Sequence, residues 1–77
     1  MLSEPPGSPL LFQGVRLYRA DLSGCALTEA DLRGADLTGA DMSWSRLVDA
    51  DLTGAILSGV ELAGADLSGA IIAAPDD

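Results

Sequence analysis

Residues 20–39 read ADLSG CALTE ADLRG ADLTG, four consecutive units of five residues with leucine at the centre of each. The same register extends in both directions without an insertion and gives thirteen units over residues 10–74. The central position is apolar in all thirteen units, and the first is small or modestly apolar, with Cys25 and Ser45 as polar exceptions. Acidic residues fill the second position seven times, and glycine fills the fifth position eight times. A period of five residues therefore organises most of the chain.

This period fits neither a helix nor a flat strand. An α-helix advances about 100° per residue, so a repeat of five drifts by about 140° and spreads the leucines around every face. A flat strand alternates with a period of two, so an odd repeat turns successive leucines to opposite sides. A chain that turns once per unit places its first and third residues inside and its fifth at a corner, where glycine tolerates a positive φ. The pattern predicts a solenoid whose coils depend on their neighbours.

The units at residues 35–39 (ADLTG) and 65–69 (ADLSG) resemble those of the pentapeptide repeat family. The resemblance covers residues 10–74, which is 65 of the 77 residues. It implies an all-β, right-handed quadrilateral parallel β-helix with one unit per face and four units per coil. The leading and central residues of each unit would line the interior, and the other three positions would face solvent. The thirteen units then make about three coils, with a height of about 16 Å.

Three segments follow from this register. Residues 10–74 are predicted to form the β-helix, and residues 1–9, with three prolines, are expected to form an extended N-terminal arm. Residues 75–77 (PDD) form a C-terminal tail. The N-terminal residues carry no signal-peptide pattern and the chain has no uncharged apolar run of transmembrane length, so we expect a cytoplasmic protein.

Composition narrows the possible classes of function. The chain has twelve acidic residues and four arginines, a formal net charge of −8, so nucleic acid and anionic membranes are poor partners. It has one cysteine and no histidine, which argues against a disulfide framework and against an ordinary zinc site. It has neither a Ser/His/Asp set nor a glycine-rich phosphate loop. We therefore expect no metal, no cofactor and no enzymatic activity.

A coil of four units stacks residues that are twenty positions apart, so the surface can be divided into columns. Asp21, Asp41 and Glu61 form one acidic column, and Asp31 and Asp51 form a second on another face. One interpretation is an anionic surface that binds a basic groove. The alternative is that aspartate at this position supports the turn by bonding nearby backbone groups.

Trp44 departs from the repeat because it replaces the usual corner glycine. We expect its side chain to project outward on the face of the three-member acidic column, where an exposed tryptophan is a frequent interface anchor. The alternative is that the ring lies flat over its own coil and covers the small residues around Gly24 and Gly64.

The C-terminal end of the predicted solenoid is apolar. Ile71 and Ile72 precede only the short tail, and an uncovered apolar end with open strand edges invites pairing. These residues are the candidate self-association end of a two-fold, end-to-end homodimer. The alternative is that the proline and the two aspartates of residues 75–77 blunt this end.

Three functions remain compatible with the sequence. The first is a non-enzymatic structural or protein-interaction module with a protein partner. The second, from the family's quinolone-resistance members, is an acidic DNA mimic that binds and inhibits or protects a type II topoisomerase. A rod of about 16 Å matches only about five base pairs of DNA, which weighs against this alternative. The third is an excised or engineered fragment without a task of its own.

Overall fold

The computed structural model describes residues 10–74. The predicted arm (residues 1–9) and tail (residues 75–77) lie outside the described residues. Within residues 10–74 there is no helix, and each strand consists of a single bridging residue. No helix in this part of the chain is therefore available to cross a membrane.

The described chain is a right-handed quadrilateral β-helix, as predicted. The second residue of every unit pairs in parallel with the second residue twenty positions away, from Leu11 with Asp31 to Asp51 with Ile71. Four units therefore complete one coil. The units stack into four faces: face 1 (10–14, 30–34, 50–54, 70–74), face 2 (15–19, 35–39, 55–59), face 3 (20–24, 40–44, 60–64) and face 4 (25–29, 45–49, 65–69).

Each corner of the coil is a hydrogen-bonded β-turn. The N–H of the first residue of a unit donates to the carbonyl of the third residue of the unit before, as from Ala40 to Leu37 at 2.9 Å. The fifth residue lies in the left-handed region, with φ between 60° and 73° over the twelve turns. The fifth residue of the unit is the third residue of the four-residue turn. A turn in which only this residue has a positive φ is a type II turn. This requirement explains the glycine that fills eight of these positions.

Three backbone hydrogen bonds join each unit to the unit stacked on it. The N–H groups of Leu37 and Gly39 donate to the carbonyls of Ile56 and Ser58, at 2.9 and 2.8 Å. In the opposite direction, the N–H of Ile56 donates to the carbonyl of Ala35 at 2.9 Å. The same triplet recurs around the helix, so each coil supplies the backbone partners of the next.

The core is a stack of leading and central side chains that is fully enclosed only in the middle of the rod. The corresponding side chains of the end coils, such as Phe12 and Leu67, are half-buried and pack against it. The buried apolar residues are Leu27, Ala30, Leu32, Ala35, Leu37, Ala40, Met42, Leu47, Ala50 and Leu52.

Truncation of a central leucine should cost most in the middle coil. Leu37 is fully buried, so Leu37→Ala should lower the free energy of unfolding by about 2–5 kcal/mol. Leu67→Ala removes the same atoms from a half-buried site in an end coil and should cost less. Urea denaturation of both variants measures the difference, and equal losses would contradict a core centred on the middle coil.

Candidate interaction surface

The stacking places the predicted acidic columns as expected. Asp41 pairs with Asp21 on one side and Glu61 on the other, which aligns all three on face 3. Asp31 and Asp51 pair on face 1. Each column thus follows from the twenty-residue coil.

The aspartates of the second position also support the turns. The Asp21 carboxylate accepts a hydrogen bond from the backbone N–H of Ser23 at 3.1 Å. That N–H, like every fourth-position N–H, has no backbone partner within residues 10–74. The turn-supporting interpretation is therefore confirmed, and it accounts for the preference for aspartate in the repeat. The aspartates that bond in this way are Asp21, Asp31, Asp36, Asp41, Asp51 and Asp66.

Hydroxyl groups add a second hydrogen bond to four of these carboxylates. Thr38 donates from its Oγ1 to Asp36 at 2.6 Å, and the side chains of Ser23, Thr53 and Ser68 bond in the same way. These hydroxyl bonds, together with the backbone bonds, lower the pKa of the four aspartates below the ordinary value of 3.8. The folded turn therefore favours the ionised carboxylate of each of these aspartates.

The two acidic columns differ in how far their charge is compensated. On face 1, the Arg33 guanidinium bonds both carboxylate oxygens of Asp31, at 2.8 and 2.7 Å. The side-chain hydrogen bond from Arg33 is the main cause that lowers the pKa of Asp31, and the charge of Arg33 also acts on Asp51. This ion pair was not predicted, although an arginine two residues after an aspartate is a signal for it.

Face 3 is the most acidic of the four faces within residues 10–74. It carries the three carboxylates of its column and no basic residue. Face 2 carries Arg16 and Arg19 with one aspartate, and face 4 carries Arg46 with three acidic residues. We call face 3 the acidic face.

Trp44 lies at the corner of the acidic face with 73% of its surface exposed, so the expected outward projection is confirmed. Its ring also lies over Gly64 of the next coil. A Cβ placed on that glycine would be only 2.5 Å from Trp44 Cε3, which shows how closely the ring approaches the backbone. A Cβ on Gly24 would meet nothing within 4 Å, so the ring does not cover that side. Trp44 therefore rests on one neighbour and leaves most of its surface open.

Trp44 is one of four non-glycine residues in the left-handed corner conformation, together with Arg19, Glu29 and Asp49. The position above three of the four is a glycine, and Glu29 is the exception. The Arg19 Cγ would lie 3.4 Å from a Cβ on Gly39, and the Asp49 carboxylate would overlap a Cβ on Gly69. At these three corners the larger side chain thus packs over a glycine of the next coil, where no side chain occupies the space.

The remaining candidate residues add no chemistry. Ser45 is buried and donates from its hydroxyl to the Met42 carbonyl at 2.7 Å, and Cys25 is a half-buried free thiol. At the C-terminal end, Ile71 and Ile72 are about half exposed. Residues 10–74 contain no cavity and no cluster of three metal-ligating side chains.

Comparison with known proteins points to one family. The model of the family described as pentapeptide repeats matches residues 16–54 and 45–73, in eight copies. A pentapeptide repeat protein from the thylakoid lumen of Arabidopsis thaliana is 35% identical, with a TM-score of 0.75 over 80% of this chain. The pentapeptide repeat protein Rfr23 from the cyanobacterium Cyanothece 51142 is 28% identical, with a TM-score of 0.63 over 88% of this chain. No curated protein matches. The alignments cover 42% and 47% of those two solved chains, so this chain spans less than half of each.

The contact of Trp44 with Gly64 predicts a coupling between these two positions. Gly64→Ala should destabilise the fold by about 1 kcal/mol more than Gly59→Ala, because only the former forces the indole ring off its support. In a Trp44→Gly background the two alanine substitutions should cost the same. Urea denaturation of the four alanine variants and their two parent chains measures the coupling. Equal costs in the presence of Trp44 would contradict the contact.

The hydrogen-bonded aspartates predict a loss of stability in acid. Because their pKa values are lowered in the folded chain, their contribution is full above pH 3.8 and is lost as the pH falls through the lower folded values. The thermal midpoint should therefore decrease between about pH 4 and pH 2. Asp36→Asn with Asp66→Asn keeps an acceptor for each backbone N–H but does not titrate there. This variant should show a shallower decrease, and an unchanged slope would refute the assignment.

Proposed function

Because this chain belongs to the pentapeptide repeat family, whose members are in general structural or interaction modules rather than enzymes, we propose that it is a protein-docking module. Its docking surface is the acidic face with Trp44 at the corner. The partner is a protein surface that presents arginine or lysine side chains beside an apolar recess.

The observation that carries this proposal is the conformation and exposure of Trp44. The residue has a φ of 63°, in a position where eight other units use glycine. A left-handed conformation costs a residue with a Cβ about 1–2 kcal/mol, so glycine would be the more stable choice at this corner. The contact with Gly64 leaves 73% of the residue exposed. Backbone strain together with an exposed aromatic ring favours a role in binding.

The carboxylates beside Trp44 define the chemistry of the partner. Asp21, Asp41 and Glu61 lie one coil apart, about 4.8 Å from one to the next, and face 3 carries no basic residue to compensate them. A basic protein surface would be attracted to this column over a distance of about one Debye length. An arginine that reaches the column also comes within range of the indole face, where a cation–π contact adds affinity.

A second candidate is imitation of DNA towards a type II topoisomerase, favoured by the same uncompensated column. DNA carries one charge per about 1.7 Å of its axis, whereas the column offers one carboxylate per coil, about 4.8 Å apart. The charge density along the column is thus lower than that along a DNA backbone. In this second candidate the interaction depends on charge alone, and Trp44 has no required part.

Peptide selection tests the docking proposal and requires no identified partner. A phage-displayed random peptide library is selected on the immobilised chain without prior depletion, and the affinity of each selected peptide is then measured on the Trp44→Gly variant. The selected peptides should be rich in arginine or lysine and should also contain leucine or aromatic residues. Loss of Trp44 should weaken the best of these peptides by more than tenfold, as for an interface hot spot.

The matched control is Tyr18→Ala, which removes the other highly exposed aromatic residue, on face 2 beside two arginines. It should change the affinity by less than twofold. Asp41→Asn should weaken binding more at low salt than at high salt, since the attraction of exposed charges is screened. Peptides that bind the Trp44→Gly variant equally well would contradict the docking proposal and favour the charge-only candidate.

A further inference from the structure

The two ends of the solenoid present different hydrogen-bonding groups. At the C-terminal end, the third and fifth residues of each unit point their N–H groups away from the rod, and the first residue points its carbonyl. These groups have no backbone partner within residues 10–74. The N–H groups belong to Leu57, Gly59, Leu62, Gly64, Leu67, Gly69, Ile72 and Ala74, and the carbonyls to Ala55, Val60, Ala65 and Ala70.

At the N-terminal end the pattern is reversed. The second and fourth residues of each unit of the first coil point their carbonyls outward, and the second residue points its N–H. Within residues 10–74 these groups also lack backbone partners. The C-terminal end therefore offers two donors and one acceptor per face, and the N-terminal end offers two acceptors and one donor.

We propose that copies of this chain stack head to tail, with the first coil of one copy on the last coil of the next. This arrangement repeats the three bonds that join successive coils within the chain, so each outward donor meets an acceptor. A two-fold dimer through Ile71 and Ile72 instead brings two donor-rich ends together. It leaves many of those N–H groups without a partner at a water-poor contact, which is costly.

The number of units fixes the rotation between the two copies. The last described unit, residues 70–74, lies on face 1, and the described residues leave residues 55–59 of face 2 without a unit stacked on them. The first unit of the second copy continues the spiral there. Its Leu11 then lies over Ile56 of the first copy, its Arg16 over Glu61, its Asp21 over Asp66 and its Ala26 over Ile71.

These pairings match two exposed apolar side chains and two opposite charges. Leu11 is 71% exposed and Ile56 is 48% exposed, so their contact buries surface that the single chain leaves open. Arg16 and Glu61 are stacked cross-strand neighbours of opposite charge, which favours the pair, and Asp21 with Asp66 is the one like-charged pair.

The charge of the two ends favours the same arrangement. The first coil, residues 10–29, carries two arginines and two acidic residues, whereas the last coil, residues 55–74, carries Glu61 and Asp66 and no basic residue. A head-to-tail contact therefore places an acidic end against a neutral end that contains arginine. A two-fold contact through the last coil would place two acidic ends together, which is unfavourable.

Complementation between two blocked variants of the full 77-residue chain tests this proposal. Ile72→Asp places a carboxylate in the C-terminal end, and Phe12→Asp does so in the same inward column at the N-terminal end. Burial of an unpaired charge should prevent stacking at the altered end. In sedimentation velocity, the wild-type chain should form larger species as concentration rises, because a head-to-tail contact does not close. Each variant alone should be a monomer, and their equimolar mixture should form a dimer.

Other outcomes overturn the proposal. Dimers of the Phe12→Asp variant alone would indicate the two-fold contact through the C-terminal end, and a wild-type chain that is monomeric at all concentrations would exclude stacking. Because Phe12→Asp removes a half-buried side chain, Leu11→Pro with Arg16→Pro serves as a second block of the N-terminal end. It removes two N–H groups that bond nothing within residues 10–74, so the fold, checked by circular dichroism, should persist.

Discussion

The left-handed residue at every fifth position is the constraint on which the rest of the structure depends. It closes a type II turn after each unit, and four such turns bring the chain back above its starting point. Stacking then follows, because the backbone groups that point along the rod find partners only in another coil. The mostly small leading residues and the apolar central residues fill the square interior. A unit outside the stack would have neither a core nor partners for these groups.

The same constraint turns sequence spacing into surface chemistry. Residues twenty positions apart become neighbours, so Asp21, Asp41 and Glu61 meet on one face although they are distant in sequence. The aspartates serve two purposes, because each holds the free N–H of its own turn and also contributes charge to a column. Glu61 is not among the side chains that accept such a bond within residues 10–74. The acidic face is thus partly a consequence of turn support, and Trp44 is the feature that turn support does not explain.

The period of five residues was sufficient to predict a solenoid, its inward positions and its corners, because a fixed repeat determines where each residue points. The right-handed coil of four units, from which the columns and the face of Trp44 follow, came from the resemblance to the pentapeptide repeat family. The ion pair between Arg33 and Asp31 was not predicted, because it depends on the path of a long side chain rather than on the backbone. The contact of the indole ring with Gly64 but not Gly24 depends on a rotamer. The two ends of the rod differ in their outward-pointing hydrogen-bond donors and acceptors, and this difference is set by the direction of the chain. It follows from which N–H and carbonyl groups bond to another coil, and residue type does not show this.

The central claim is that Trp44 is exposed beside uncompensated carboxylates, and fluorescence quenching tests it directly because the chain has one tryptophan. Neutral acrylamide should quench the emission efficiently. When each ion is compared with its quenching of free N-acetyltryptophanamide, caesium should be relatively more effective than iodide at equal ionic strength, because the acidic face attracts the cation and repels the anion, and added salt should reduce that difference. Poor quenching by acrylamide would show that the ring is covered. Equal effectiveness of the two ions relative to the free fluorophore would show that the surroundings of the ring are not acidic, and either result would contradict the account.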